Sequence, residues 1–191
     1  MPFTLLDTWL NEEKELGAPN PRQAVLATVS QETIPHSRVV AIREINADGL
    51  LFFTQKGTRK VKEMQNNPHA VLTFWLELKQ REIIIEGDIE TLIAEENENY
   101  WRTYPREAQI RFHAYAPTSG QPIAAKKELE EKRVLIARKY QDQALPMSAD
   151  YCGFRLKPKR FVFYTYQTPQ LSDVFEFALH ENQWIKTVLS P

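Results

Sequence analysis

The sequence predicts a mainly β fold of the α+β class, an antiparallel barrel with peripheral helices. Three observations point there. Apolar strands follow one another from residue 24 with short turns between them, which antiparallel pairing permits and parallel crossovers do not. The helical patterns gather at the start of the chain and between residues 95 and 140, and the tail returns to strands. With 191 residues, 42% of them hydrophobic, the chain is long enough for one domain with a real core. The expected layout is a single domain over 1–191: an N-terminal helix at 1–18, barrel strands at 24–92, a helical insertion at 95–140 and C-terminal strands at 150–191.

Thr4-Leu5-Leu6-Asp7 reads as a capping box, and Leu5, Leu6, Trp9 and Leu10 form a helical apolar stripe that ends near Gly17. Pro19-Asn20-Pro21 breaks the chain. Strands follow at 24–29, 36–43 and 50–54, separated by polar turns at 30–33 and at Asn46-Ala47-Asp48-Gly49. Asn66-Asn67-Pro68 punctuates before strands at 70–75 and 81–92. Helices are expected at 95–103, at 106–112 with Pro105 at its start, and as one long piece at 123–140. Mixed charges along that last piece read as a solvated face. The tail gives strands at 151–156, 160–166, 174–179 and 184–188, with a turn at His180-Glu181-Asn182.

Chemistry concentrates at residues 52–60, Phe-Phe-Thr-Gln-Lys-Gly-Thr-Arg-Lys, where an apolar strand runs into a turn of hydroxyls and cations and then into a short amphipathic helix containing Val61, Met64 and Gln65. Backbone N–H groups around Thr58 and Arg59 then face an anion, with the positive end of the helix dipole behind them. Arg59 and Lys60 add full charges, and Thr54 and Thr58 add hydroxyl donors. The strand 36–43 puts Arg38, Val40 and Ile42 on one face and Arg43 on the other, so a second guanidinium can reach the same anion. Taken alone, such a turn is more often a helix start with a solvated basic end.

Net charge is −1 and the pI about 6.4, which gives no global field for a polyanion and excludes general nucleic-acid binding. The single cysteine, Cys152, excludes an intramolecular disulfide framework and has no metal-ligand neighbour at the required spacing; His36, His69, His113 and His180 are scattered, so no metal site is expected. There is no nucleophile elbow, Walker loop or dinucleotide fingerprint. No apolar run approaches 18 residues and Met1-Pro2-Phe3 opens no leader, so the expectation is a cytoplasmic protein with no membrane contact.

Several motifs together resemble the pyridoxamine 5′-phosphate oxidase family of FMN-binding split β-barrels, nearly end to end. They are Pro2-Phe3-Thr4-Leu5 with Trp9-Leu10, Ser37-Arg38-Val39-Val40, Phe52-Phe53-Thr54 with Gly57-Thr58-Arg59-Lys60, and Asn66-Asn67-Pro68. Tyr100, Pro105-Arg106, Gln109-Ile110, Gly153-Phe154-Arg155 and Trp184-Ile185-Lys186 continue the match. The resemblance implies a Greek-key split β-barrel and a homodimer with FMN in clefts at the subunit interface. It implies that Arg38, Thr58, Arg59 and Lys60 hold the FMN phosphate, and that Val39, Val40, Ala41, Phe53 and Thr54 line the ribityl chain and ring. It also implies that Ser119 approaches FMN from the partner chain.

Departures from the family pattern bear on the substrate. Arg43 stands where a lysine is usual and Glu82 where a glutamine touches the flavin ring, and the resemblance implies that both contact the cofactor. The substrate-phosphate cluster of tyrosine, arginine and serine becomes Tyr100, Tyr104 and Ala108, leaving Arg43, Tyr100 and Tyr104 as the implied substrate contacts. The tryptophan and Arg-x-His-x-Arg pattern becomes Tyr164 and Gln170-Leu171-Ser172-Asp173-Val174. Charge-assisted hydrogen bonds are worth roughly 1.5–3 kcal/mol each, so losing two or three weakens phosphate binding by several kcal/mol. Arg102 and Arg106 lie near enough in sequence to Tyr104 to be replacement cations.

Three functions follow as expectations. The first is an FMN-dependent oxidoreductase acting on a CH–NH2 or CH–OH donor, a small molecule other than a pyridoxyl phosphate, with no assigned catalytic side chain apart from Glu82 as a speculative acid or base. The second is a divergent pyridoxamine 5′-phosphate oxidase of vitamin B6 metabolism. The third is a non-catalytic flavin- or tetrapyrrole-binding protein.

Overall fold

A computed structural model describes residues 1–166 and 169–191. Its elements in chain order are α1 (Pro2–Glu15), β1 (Gln23–Val29), β2 (Pro35–Asn46), β3 (Gly49–Gln55), α2 (Arg59–Asn66), β4 (His69–Leu76), β5 (Arg81–Thr91), α3 (Ala94–Arg102), α4 (Arg106–Tyr115), α5 (Lys126–Lys139), β6 (Tyr151–Thr165), β7 (Asp173–His180) and β8 (Gln183–Leu189). The chain divides into two compact units. The first comprises Met1–Phe53, Glu63–Glu90 and Phe154–Pro191, and the second Thr54–Lys62 and Thr91–Gly153.

The first unit carries the barrel. Its strands hydrogen-bond in the order β3-β2-β1-β4-β5-β6-β7-β8, and β3 also pairs with β6, closing six antiparallel strands while β7 and β8 extend the sheet. The mainly β, α+β class is as the sequence predicts. Period-two burial explains why these segments are strands: Ala70, Leu72, Phe74 and Leu76 of β4 point inward, as do Ile83, Ile85 and Ile89 of β5. With Leu26, Phe52, Phe161 and Phe163, all fully buried, they fill the interior. The helix α1 lays an apolar stripe on the barrel, with the Trp9 ring edge-on to Phe163 at 5.1 Å and Arg81 over Trp9 at 4.4 Å. Buried Glu13 accepts from the backbone N–H groups of Leu78 and Lys79 at 2.8 and 3.2 Å, which ties the helix to the β4–β5 turn.

In the second unit Trp101 is the centre of the core. Its ring meets Phe112, His113 and Tyr151 edge-on at 4.9–5.8 Å, and its indole N–H donates to the Leu145 carbonyl at 3.0 Å. Buried Asn97 donates to the Leu92 and Ile93 carbonyls and accepts from the Gly153 N–H at 2.7 Å. The helix α5 has no buried residue and is laced by i,i+4 ion pairs, Lys126 to Glu130 and Lys127 to Glu131.

Three local expectations differ from the structure. The first helix starts at Pro2, in its first turn, rather than at a Thr4 cap, because proline there forfeits an N–H that no helix would use. The long helix α5 starts at Lys126 rather than residue 123, with Ala125 extended at its N-cap and no side-chain cap. The two strands expected on either side of Pro158 are one strand, β6. Gly87 of β5 permits this: a Cβ there would lie 2.1 Å from the Lys157 carbonyl oxygen, so only glycine lets the two backbones close past the proline.

Candidate functional site

The turn from β3 into α2 lies in the second unit. Thr58, 6% exposed, donates its hydroxyl to the Gln55 carbonyl at 2.9 Å, which fixes the turn just before the helix begins at Arg59. The Lys60 ammonium donates to the Thr54 hydroxyl at 3.1 Å, folding the cation back over the strand end. Gln55, 2% exposed, accepts the Ser119 backbone N–H at 2.9 Å through its side-chain oxygen. Thr54, Thr58, Lys60 and Ser119 are thus brought together around Gln55 within one chain, where the resemblance implied that Ser119 comes from the partner, and Arg59 is exposed at the first helical position.

The electrostatics of this helix end are unusual. The first turn of α2 holds Arg59 and Lys60 and no acidic residue. The N-terminal half-charge of a helix is positive, so each cation there opposes the dipole by about 0.3–1 kcal/mol unless an anion lies between them. The arrangement fits a bound phosphate or carboxylate better than an empty helix end.

In the barrel, β2 has the predicted alternation: Val39 and Ala41 face outward, Val40 and Ile42 are buried, and Arg38 is partly buried on the inner side. Arg43 is the extra residue of a β-bulge between Ile42 and Glu44, a device that re-aims a side chain at a strand end. Phe53 is half-buried. Glu82 pairs across to Trp75, accepts a hydrogen bond from the Tyr166 hydroxyl and stands beside an exposed cluster in which Trp75 meets Tyr166 at 5.5 Å and Tyr164 meets Tyr166 at 4.3 Å. Burial and then the Glu82 charge push the Tyr166 phenol above its ordinary value.

Arg38 is engaged with groups that local patterning does not bring together. One terminal nitrogen donates to the Leu26 carbonyl at 3.2 Å and to the Thr28 hydroxyl at 2.5 Å; the other donates to Glu63 Oε2 at 3.3 Å. The Thr28 hydroxyl in turn donates to Glu63 Oε2 at 2.5 Å, and His36 Nδ1 lies 2.7 Å from Glu63 Oε1. Glu63 is 4% exposed. Burial pushes its carboxyl up, but hydrogen bonds from Thr28 and His36 and the charges of His36 and Arg38 outweigh that and hold it below its ordinary value.

Among the expected substrate contacts, Tyr104 packs against Trp101 at 6.1 Å and Tyr151 at 6.0 Å and Tyr100 is half-buried on α3, while Ala108 is buried. The two candidate replacement cations are engaged elsewhere. Arg102 pairs with Glu98 on the exposed face of α3, and Arg106 donates to the Tyr140, Gln141 and Gln143 carbonyls, capping the end of α5. Burial, with Tyr104 nearby, pushes the Tyr115 phenol up to about 12.

Glu63, Thr28, His36 and Gln55 were not among the site residues expected from the sequence. Period two does place His36 with Arg38, but a lone glutamate beside Lys62 in a short helix carries no local sign of burial.

Comparison with known proteins adds the following. The family model described as pyridoxamine 5′-phosphate oxidase matches residues 10–163. A pyridoxine-5′-phosphate oxidase of Dictyostelium discoideum is 34% identical, aligned over all of this chain and 84% of that protein. A pyridoxine/pyridoxamine 5′-phosphate oxidase of Actinobacillus pleuropneumoniae is 35% identical over all of this chain and 89% of its own. Among solved structures, PhzG from Burkholderia lata, in complex with tetrahydrophenazine-1-carboxylic acid, superposes with a TM-score of 0.88 at 25% identity, covering all of this chain and 92% of PhzG. A pyridoxamine 5′-phosphate oxidase-related, FMN-binding protein of Nostoc punctiforme gives a TM-score of 0.79 at 17% identity over 98% of this chain and 96% of its own, a likeness of fold.

Proposed function

Because this chain belongs to the pyridoxamine 5′-phosphate oxidase family, we propose that it is an FMN-dependent oxidoreductase whose donor is a small ring compound without a phosphate. The observation that carries the cofactor reading is the end of α2, whose first turn holds Arg59 and Lys60 and no acidic residue, just after the Thr58 turn. A phosphate monoester is an anion that such a helix end can hold. Thr54, Thr58, Arg59 and Lys60 bind it, with Arg38 as a further cation; Val39, Val40, Ala41, Phe53, Ser119 and Glu82 are the remaining contacts of the flavin. FMN, when bound, supplies acceptance of a hydride from the donor and passage of two electrons to oxygen or another acceptor. The protein's part is to bind and orient. Outward-facing Val39 and Ala41 offer apolar surface, and Glu82 with the Tyr166 hydroxyl provides a hydrogen-bonded pair able to hold a proton.

The donor reading rests on Tyr104 and Ala108. An aromatic ring packed on Trp101 and a buried methyl replace groups that would grip a phosphate, and Arg106 is spent on the end of α5. PhzG, bound to a ring carboxylic acid with no phosphate, indicates the class of compound to screen. The second reading is a pyridoxamine 5′-phosphate oxidase proper, favoured by the names of relatives at 34–35% identity. The test is flavin reduction and peroxide release with two panels, pyridoxyl phosphates and unphosphorylated reduced ring acids. Turnover confined to the second panel supports the proposal, turnover of pyridoxamine phosphate selects the second reading, and no flavin reduction by either selects a non-catalytic flavin- or tetrapyrrole-binding module. We also propose that the protein acts as a homodimer.

A further inference from the structure

We infer that Glu63 is a positioning residue for cofactor binding, its carboxylate fixing the Arg38 guanidinium in one orientation before the ligand arrives. This rests on the FMN reading above.

The register of the barrel prepares the arrangement. Thr28 lies directly opposite His36, and Leu26 directly opposite Arg38, so a hydroxyl, an imidazole and a guanidinium share one patch of the inner face of β1 and β2. On α2, Val61, Glu63 and Met64 are the buried positions, and Glu63 alone among them is polar. Its oxygens take Thr28 and Arg38 on one side and His36 on the other, at 2.5, 3.3 and 2.7 Å.

A role in packing alone does not explain a carboxylate here. Burying one is costly, and an apolar side chain between Val61 and Met64 would join helix to strand without that cost. A role as a charge alone also fails, because a negative group one helical turn from Arg59 and Lys60 would repel the anion they bind. What the geometry does achieve is restraint. A guanidinium carries its donors in a rigid planar fork, and here both terminal nitrogens are held, one by Leu26 and Thr28, the other by Glu63. A long, flexible arginine is thereby ordered before the ligand arrives, so less freedom is lost on binding.

The experiment titrates apoprotein with FMN and, separately, with riboflavin, which lacks the phosphate. Glu63→Ala is expected to weaken FMN binding by about tenfold or more while moving riboflavin by no more than about twofold. Glu63→Gln, which keeps an acceptor for Arg38 and Thr28, is expected to restore FMN binding to within about threefold of the wild type. Should Glu63→Ala not fold, Thr28→Val, which removes the hydroxyl bridging the same two groups, is read in its place, with the same selective loss expected. Parallel weakening of FMN and riboflavin would mean simple structural damage, and unchanged or tighter FMN binding a mere charge; either overturns the inference. The FMN reading fails separately, on the wild-type chain, if it takes up neither flavin or binds FMN no better than riboflavin.

Discussion

Arg59 is an exposed cation in the first turn of α2, where it opposes the helix dipole, so removing it separates binding from folding. Arg59→Ala is expected to weaken FMN binding by about tenfold or more, through the loss of a charge-assisted hydrogen bond, while the melting temperature of the ligand-free protein stays level or rises slightly. Ser172→Ala, outside the proposed FMN contacts, should leave FMN affinity within about twofold in the same titration. Arg38 behaves in the opposite way. Arg38→Ala leaves Glu63 buried and ionised beside only Thr28 and His36, and denaturant unfolding should show a loss of about 3 kcal/mol. The pH dependence follows from the same group. Because its folded pKa is lowered, Glu63 contributes stability above its unfolded value of 4.5 that is lost as pH falls through the lower folded value. Glu63→Gln should therefore unfold less steeply than the wild type on acidification below 4.5. The cations of this site were legible in the sequence because a strand, a turn and a helix start are local patterns. Glu63 and Gln55 were not, since their burial is decided by contacts 35 and 64 residues away.

At the scale of elements, the sequence located every strand of the barrel, because alternation of apolar residues is a local consequence of the pleat. Where it failed, a distant partner decided the outcome. Pro158 reads as a strand break, yet β6 runs through it because Gly87 on a neighbouring strand yields the space. Gly87→Ala would drive a methyl group to 2.1 Å from the Lys157 carbonyl oxygen, where backbone rather than a flexible side chain must move. A loss of about 1–3 kcal/mol is expected in denaturant unfolding, with little change in the helical unit's own hydrogen-exchange protection. The hairpin of β7 and β8 was legible for the converse reason: Glu181 and Asn182 both adopt positive φ, 46° and 64°, in a two-residue turn that the local sequence announces. The helices α3 and α4 were located correctly, but Arg106 could not be assigned to the end of α5 without knowing how α4 and α5 fold together.

At the scale of the whole molecule, the outer barrel surface carries Val25, Val39 and Trp75, which are 41%, 61% and 48% exposed. Val25 pairs directly with Val39 across β1 and β2, so the patch is continuous rather than scattered. A homodimer covering it is expected, and sedimentation of the FMN-loaded protein should give twice the 22.3 kDa chain mass, with Val39→Glu shifting it toward the single chain. Among the described residues no helix is long and apolar enough to cross a membrane. Fold alone does not assign the donor, which is why the two substrate panels decide between the proposed readings. The most direct test of the cofactor claim is to purify the protein gently, denature it and identify by mass what it releases. FMN, close to one per chain, is the expected result; a colourless chain that releases no flavin and takes up none when FMN is added would contradict it.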